Sequence, residues 1–144
     1  MEVKVKNHQK KIPPRSLPNP KIVRAILKYF RVKNATLSIV FITRQKIQSL
    51  NKKYLNRSYA TDVLAFDLAE EGKKDGVAGD IFISTDAVLA NAKAFKNDVK
   101  SELTLYIIHG ILHLLGYDDH SARDVKRMRA QEGRLVKFLS NKWI

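Results

Sequence analysis

The chain contains 144 residues, a length that fits one domain and leaves too little for a second, so we expect a single domain over 1–144. Apolar residues make up 44% and charged residues 28%, which is typical of a folded globular protein and excludes extended disorder. Lys and Arg total 27 against 14 Asp and Glu, and the net charge of +13 favours a polyanionic partner, most commonly nucleic acid.

The first part of the chain predicts a strand, a loop and a helix. Residues 3–5 alternate apolar and charged side chains, which indicates a short strand. The proline-rich stretch 12–20 is expected to be an irregular loop. Asn19 is then placed to cap a helix that carries Pro20 at its first position and runs to about Phe30.

The middle of the chain alternates strands with helices. LSIVFIT, residues 37–43, is apolar and β-branched, and it predicts a central strand. Short strands are also predicted at 62–66 and 79–84, separated by a solvated turn at 70–76. Helices should follow the strands at Thr43 and Thr85, which are both expected to act as caps. The apolar stripe of the first of these helices is predicted to be Ile47, Leu50, Tyr54 and Leu55.

Two longer helices complete the chain. The first should begin at Asp98 and end near Leu115, with Gly116 as its C-terminal stop. The last should span 122–139, with an apolar inner face formed by Val125, Met128, Leu135, Val136 and Leu139. Its outer face is basic and carries Arg123, Lys126, Arg127, Arg134 and Lys137. Together the elements predict an α+β or α/β fold with a small mixed sheet.

Cysteine content and hydropathy indicate the compartment. The chain has no cysteine, which excludes disulfides and thiolate metal sites and fits a reducing environment. The charged, alternating stretch MEVKVKNHQKK lacks the apolar core of a secretory signal, and no apolar run reaches the roughly 18 residues of a membrane span. We therefore expect a cytoplasmic protein that does not enter a membrane.

The segment YIIHGILHLLGYDDH predicts a metal site. His109 and His113 are four residues apart on a helix, so their imidazoles project from one face and can meet one ion. Gly116 allows the chain to reverse, and either Asp119 or His120 can then supply a third ligand. Three protein ligands with an open fourth position are the arrangement of a catalytic zinc ion. Buried structural histidines are the alternative, but imidazoles in so apolar a helix are costly without partners.

One acidic residue and one glycine refine this prediction. Glu102 lies on the same helical stripe, where it can accept a hydrogen bond from a ligand's second ring nitrogen or simply favour the helix start. In zinc peptidases the residue after the first ligand is a glutamate that acts as general base, whereas here it is Gly110. The ligand spacing fits such a peptidase, but the base is missing, and peptide hydrolysis is disfavoured.

The segment HGILHLLGYDDH, residues 109–120, resembles the signature HGxLHLxGYDH of the YbeY family of metal-dependent endoribonucleases. TDVLAF at 61–66 and GDIFIS at 79–84 also resemble segments of that family. The resemblance implies an α+β fold, a small mixed sheet of about four strands flanked by helices, and one zinc ion held by three histidines at the C-terminal end of a central helix. It also implies cleavage of single-stranded RNA, maturation of the 3′ end of small-subunit ribosomal RNA, a part in ribosome quality control, and contact with the ribosomal subunit or its proteins.

The chain departs from the family pattern at two positions. The family's third histidine falls at Asp119, and this chain has His120 one residue later. Imidazole is the more usual third partner, so His109, His113 and His120 are the favoured ligand set, with Asp119 as the alternative. The family also has an arginine at the position of Leu55, and Arg57, two residues on, is the candidate to bind phosphate in its place.

These residues define candidate roles. Zinc polarises a phosphoryl oxygen and activates water, and attack by water or by the ribose 2′-OH both stay open. Whichever of Asp118 and Asp119 is not a ligand is the candidate to orient the water. Candidate stacking aromatics for single-stranded RNA are Tyr59, Phe66 and Tyr117. The competing functions are a zinc peptidase or other amide hydrolase, and a ribosome-binding factor with a structural metal.

Overall fold

A computed structural model of the protein describes residues 1–55, 61–69, 76–117 and 121–139. Its strands and helices follow in this order: β1 (Glu2–Asn7), α1 (Pro20–Tyr29), β2 (Ala35–Ile42), α2 (Arg44–Leu55), β3 (Val63–Asp67), β4 (Val77–Ser84), α3 (Thr85–Ala94), α4 (Val99–Leu114) and α5 (Ala122–Leu139). A 3₁₀ turn at Pro14–Ser16 lies in the proline-rich loop. Among the described residues, none of the helices combines the length and apolar character required to cross a bilayer.

The four strands form one mixed sheet in the order β1-β2-β4-β3. β1, β2 and β4 are parallel, with Val3 opposite Leu37 and Ile39 opposite Ile81, and β3 pairs antiparallel with β4. A small mixed sheet flanked by helices confirms the predicted α+β class. One sheet face carries the main core against α1, α3, α4 and α5, and a smaller apolar cluster with α2 covers part of the other face.

Helix starts follow the capping chemistry of the sequence. The Asn19 Oδ1 accepts the backbone N–H groups of Lys21 at 2.9 Å and Ile22 at 3.3 Å, with Pro20 at the first helical position. The Thr43 hydroxyl accepts the N–H of Lys46 at 3.2 Å, as predicted. These bonds satisfy amide groups that have no partner within the helix.

Two predictions about helices α2 and α3 are wrong in detail. The cap of α3 is Ser84, whose hydroxyl accepts the N–H of Ala87 at 3.2 Å, and Thr85 is the first helical residue. In α2 only Ile47 and Asn51 are buried. Tyr54 and Leu55 were predicted to face the core, but they are 58% and 43% exposed. The predicted turn at 70–76 lies outside the described residues except for Gly76.

Candidate metal centre

Helix α4 is pressed closely against the sheet. A Cβ atom at Gly110 would lie 2.6 Å from the Ile81 Cγ2 of β4, so any larger residue would force the helix or the Ile81 side chain to shift. The Asp98 carboxylate caps the helix by accepting the N–H of Ser101 at 2.7 Å. Gly116 follows the last turn with a φ of +97°, a conformation that favours glycine. The helix carrying both histidines is therefore fixed at both ends and along one side.

The two histidines of α4 converge. The Nε2 atoms of His109 and His113 are 3.0 Å apart, and the rings meet edge to face with centroids 4.6 Å apart. Two nitrogens bound to one zinc ion at about 2.0–2.1 Å, at a tetrahedral angle, would lie about 3.3 Å apart. The pair thus needs to separate by only a few tenths of an ångström to hold a single ion.

A carboxylate from α5 orients His109. The Glu132 Oε1 lies 2.8 Å from the His109 Nδ1, and both side chains are largely shielded from solvent. A carboxylate only accepts hydrogen bonds, so the Nδ1 carries the proton and the Nε2 lone pair points towards His113. A carboxylate behind a histidine is the usual arrangement of a metal-binding imidazole. The donor set therefore fits a divalent cation such as zinc.

The orienting carboxylate was not the one suggested by the sequence. Glu102 is 4% exposed, and its Oε1 accepts a hydrogen bond from the side-chain amide of Asn97 at 2.9 Å. This carboxylate therefore bonds to the loop before α4 rather than to an imidazole. Glu132 was missed, although the pattern held a signal for it. It lies four residues after Met128 and three before Leu135, and a carboxylate within that buried stripe requires a partner.

The remaining predicted site residues lie outside the described residues. These are Arg57, Asp118, Asp119 and His120, which fall in 56–60 and 118–120. Within the described ranges no group of three potential ligands is found, so the described part of the site consists of the histidine pair and its carboxylate. The described chain stops at Tyr117 and resumes at Ser121, on either side of the candidates for the third ligand.

A cavity of about 240 Å³ opens beside His109. Its lining includes Thr61, Asp62, Tyr106 and Glu132. Burial raises the pKa of the Tyr106 phenol to about 12, and the nearby carboxylates act in the same direction. Asn91 donates its side-chain amide to the Tyr106 oxygen and, at 3.4 Å, to the Asp62 Oδ2. The cavity thus presents two carboxylates, those of Asp62 and Glu132, and one neutral phenol next to the histidine pair.

A second cavity of about 200 Å³ shares Thr61 and Asp62 with the first. It is also lined by Arg44 and Asp86. Asp86 is paired with Lys11, and its Oδ2 accepts the Arg44 N–H at 2.7 Å. The hydrogen bond from Lys11, followed by that from Arg44, lowers the pKa of Asp86. Asp62 and Arg44 were not singled out by the sequence analysis, which considered only Arg57 as the cation.

Comparisons with known proteins identify the family of this chain. Residues 3–140 match the family model described as endoribonuclease YbeY. This chain belongs to the YbeY family. The endoribonuclease YbeY of Parabacteroides distasonis is 37% identical over 117 residues, which cover 81% of this chain and 80% of that protein. The endoribonuclease YbeY of Syntrophus aciditrophicus is 31% identical over 144 residues, covering 96% of this chain and 90% of the relative.

A solved structure shares the fold. The solution structure of TM1509 from Thermotoga maritima superposes with a TM-score of 0.71 at 28% sequence identity. The superposition covers 98% of this chain and 91% of that one. The resemblance read from residues 109–120 is therefore confirmed at the level of the family.

In this YbeY chain, the position of the family arginine and the candidate RNA-stacking aromatics differ in how exposed they are. Leu55, at the position of the family arginine, is 43% exposed and ends α2 just before the undescribed stretch that contains Arg57. Of the candidate stacking aromatics, Phe66 is half-buried between Tyr54 and Phe82, at ring distances of 5.7 and 5.8 Å. Tyr117 is half-buried, and Tyr59 lies outside the described residues.

Proposed function

We propose that residues 1–144 form one metallo-endoribonuclease domain that cleaves single-stranded RNA in the cytoplasm. Its family consists of enzymes named as endoribonucleases, and such enzymes are hydrolases acting on RNA. The proposal extends to maturation of the 3′ end of small-subunit ribosomal RNA and to ribosome quality control, with the ribosomal subunit or its proteins as partners. The net charge of +13 supports a polyanionic substrate.

The histidine pair of α4 carries the proposal. His109 and His113 would bind one zinc ion through Nε2 atoms that already face each other at 3.0 Å. We propose His120 as the third ligand, with Asp119 as the alternative, because imidazole is the more usual partner. When bound, zinc supplies a Lewis acid for the phosphodiester and lowers the pKa of water. Glu132 holds the His109 ring and its proton at Nδ1.

Further candidate residues would bind and orient the substrate. Asp118 or Asp119, whichever does not bind the metal, is the proposed group that orients water. Asp62 is a further carboxylate at the cavity beside His109. Arg57 is the proposed replacement for the family arginine that is absent at Leu55, and Arg44 lines the adjoining cavity with a second guanidinium group. A guanidinium that contacts the scissile phosphate would stabilise charge on the cleaved phosphodiester.

The packing of Gly110 argues against a peptidase of the HExxH type. The glutamate base of those enzymes occupies the position of Gly110. Here even a Cβ atom would lie 2.6 Å from Ile81, so this site has no space for a glutamate side chain. The packing at Gly110 thus supports a nuclease over a peptidase that uses the HExxH base.

The test compares cleavage by the wild type, His109→Ala and His8→Ala, all purified identically. The substrate is a single-stranded RNA carrying the 3′ end of precursor small-subunit ribosomal RNA, and bound metal is measured for each protein. His8 is exposed on the chain after β1 and serves as the matched histidine control. We expect His109→Ala to lose metal and cleavage and His8→Ala to keep both. Equal cleavage by all three would attribute the activity to a contaminating nuclease and overturn the proposal.

A further inference from the structure

The outer face of α5 carries an unusual density of positive charge. The helix has six basic and two acidic residues, and one of the acidic residues, Glu132, is bonded to His109. The basic residues are Arg123, Lys126, Arg127, Arg129, Arg134 and Lys137, and all six are exposed. From Arg123 to Arg134 they extend over about 16 Å of helix.

Five of these six charges have no acidic partner among the described residues. Among the described residues, none of Arg123, Lys126, Arg127, Arg129 and Arg134 has a carboxylate within ion-pair distance. Several are three or four residues apart, such as Arg123 and Arg127, and like charges at that spacing destabilise a helix. The sequence therefore keeps a repulsion that a bound polyanion would relieve.

The opposite face of α5 limits the class of partner. Met128, Leu135 and Leu139 are buried in the main core, so the helix cannot insert an apolar face into a lipid bilayer while the protein stays folded. The solvent-exposed face of α5 is positively charged. Phosphates on a flexible chain match such a surface.

The position of α5 favours RNA over an acidic protein. The hydrogen bond between Glu132 and His109 joins α5 to the histidine pair of α4. Tyr117 follows the C-terminal end of α4, four residues after His113, and the Arg127 guanidinium lies 5.9 Å from the centroid of its ring. These two residues also line a cavity of about 280 Å³ with Leu115, Gly116 and Asp124. An aromatic ring with an adjacent guanidinium group is how proteins hold single-stranded nucleic acid.

We propose that the outer face of α5 is a phosphate-binding surface that holds the RNA strand next to the metal centre. This inference rests on the proposed nuclease function and adds the surface that carries the substrate backbone. Arg127 and Tyr117 lie together beside the C-terminal end of α4, and Arg123 and Arg134 lie along the same side of α5 as Arg127. The contacts are to phosphate, so they hold the strand without selecting its sequence.

The test measures how RNA affinity depends on salt in two matched variants. Arg123→Gln with Arg127→Gln removes two charges from α5, and Lys21→Gln with Arg24→Gln removes two exposed charges from α1. The probe is a fluorescent 2′-O-methyl uridine oligomer of about 12 nucleotides, followed by anisotropy. Losing two phosphate contacts should lower the log–log salt slope by about 1.4 and weaken binding roughly 25-fold at 0.1 M salt. The α1 variant should change both much less.

Each result supports or overturns the inference. Equal losses in the two variants would mean that only net charge matters, and no loss in the α5 variant would mean that α5 is not in contact with RNA. Either result overturns the inference. A loss of binding to phosphatidylglycerol vesicles or to polyglutamate, with RNA binding unchanged, would assign the face to another partner and also overturn it. Because the readout is binding to an oligomer without 2′-OH groups, measured with a metal chelator present, this outcome is independent of the His109→Ala activity test.

Discussion

Replacing Glu132 is the sharpest perturbation of the proposed metal centre. Its carboxylate, 2.8 Å from the His109 Nδ1, keeps the ring proton on that nitrogen. Without an acceptor there, the ring can place its proton on Nε2, the atom that faces His113, and that form cannot bind metal through Nε2. Glu132→Ala should therefore bind zinc more weakly, while the ligands themselves stay in place.

The size of the effect follows from the type of contact. Loss of a carboxylate behind a metal-binding histidine typically costs 10- to 100-fold in metal affinity, about 1.4 to 2.7 kcal/mol. Glu132→Gln keeps an acceptor oxygen and loses only the charge, so we expect about tenfold. Glu132→Ala loses both and should approach the 100-fold limit. The order wild type, Gln, Ala is the central expectation.

Competition with a chromogenic zinc chelator near neutral pH measures these affinities. Glu102→Gln is the matched control, because this buried carboxylate lies on the histidine helix and is bonded to Asn97. It should leave zinc affinity unchanged even where it lowers stability, and circular dichroism verifies the fold of each variant. If Glu132→Ala binds zinc as tightly as the wild type, or if Glu102→Gln loses as much, the orienting role of Glu132 is refuted.

Three further predictions concern packing and protonation. Gly110→Ala should lower the free energy of unfolding by about 1–3 kcal/mol, because the new Cβ would lie 2.6 Å from Ile81 of β4. Gly133→Ala, which has open space around it, should raise the free energy of unfolding by up to about 1 kcal/mol. Urea melts that rank the two variants in the opposite order would contradict the close packing. Lys11→Ala should cost about 0.5 kcal/mol at neutral pH, since the Lys11 side chain is largely exposed and its ion pair is screened by solvent. Because the pKa of Asp86 is lowered in the folded state, this difference should shrink as pH falls below the ordinary aspartate range, and a difference that persists in acid melts would exclude the ion pair. Burial raises the pKa of Tyr106 to about 12, so in an ultraviolet titration it should ionise after the exposed tyrosines, and this late step should be absent in Tyr106→Phe. Ionisation of Tyr106 should also destabilise the fold as pH rises above 10. Ionisation of all tyrosines near pH 10 would disprove its burial.

Features set by neighbouring residues were predictable from the sequence. Asn19 with Pro20, and Asp98, mark helix starts because their side chains bond amides two or three residues ahead. The i, i+4 spacing of His109 and His113 likewise fixes a shared helix face. The limits of α5 at 122 and 139 follow from its regular apolar stripe. All of these are local relations within one element.

Features that depend on tertiary contacts were not predictable in the same way. The carboxylate that reaches His109 comes from a different helix, 23 residues away in the chain, and periodicity alone cannot select Glu132 over Glu102. Tyr54 has the spacing of a buried residue, yet it meets Phe66 only with an edge-on ring and stays exposed. Periodicity shows which side of a helix faces the protein, but it does not show how far the partner surface extends.

The order of strands in the sheet has a consequence for how the protein folds. β1 pairs in parallel with β2 across α1, and β2 pairs with β4 only after α2 and β3 have been passed. Each pairing closes a long segment of chain before its contacts are formed, and such nonlocal topologies fold more slowly than helical bundles. The helices that carry His109 and Glu132 come last in the sequence and pack on this sheet. Newly made chains therefore pass through a stage in which the central strands are synthesised but their covering helices are not, and the apolar face of the sheet is then open to aggregation.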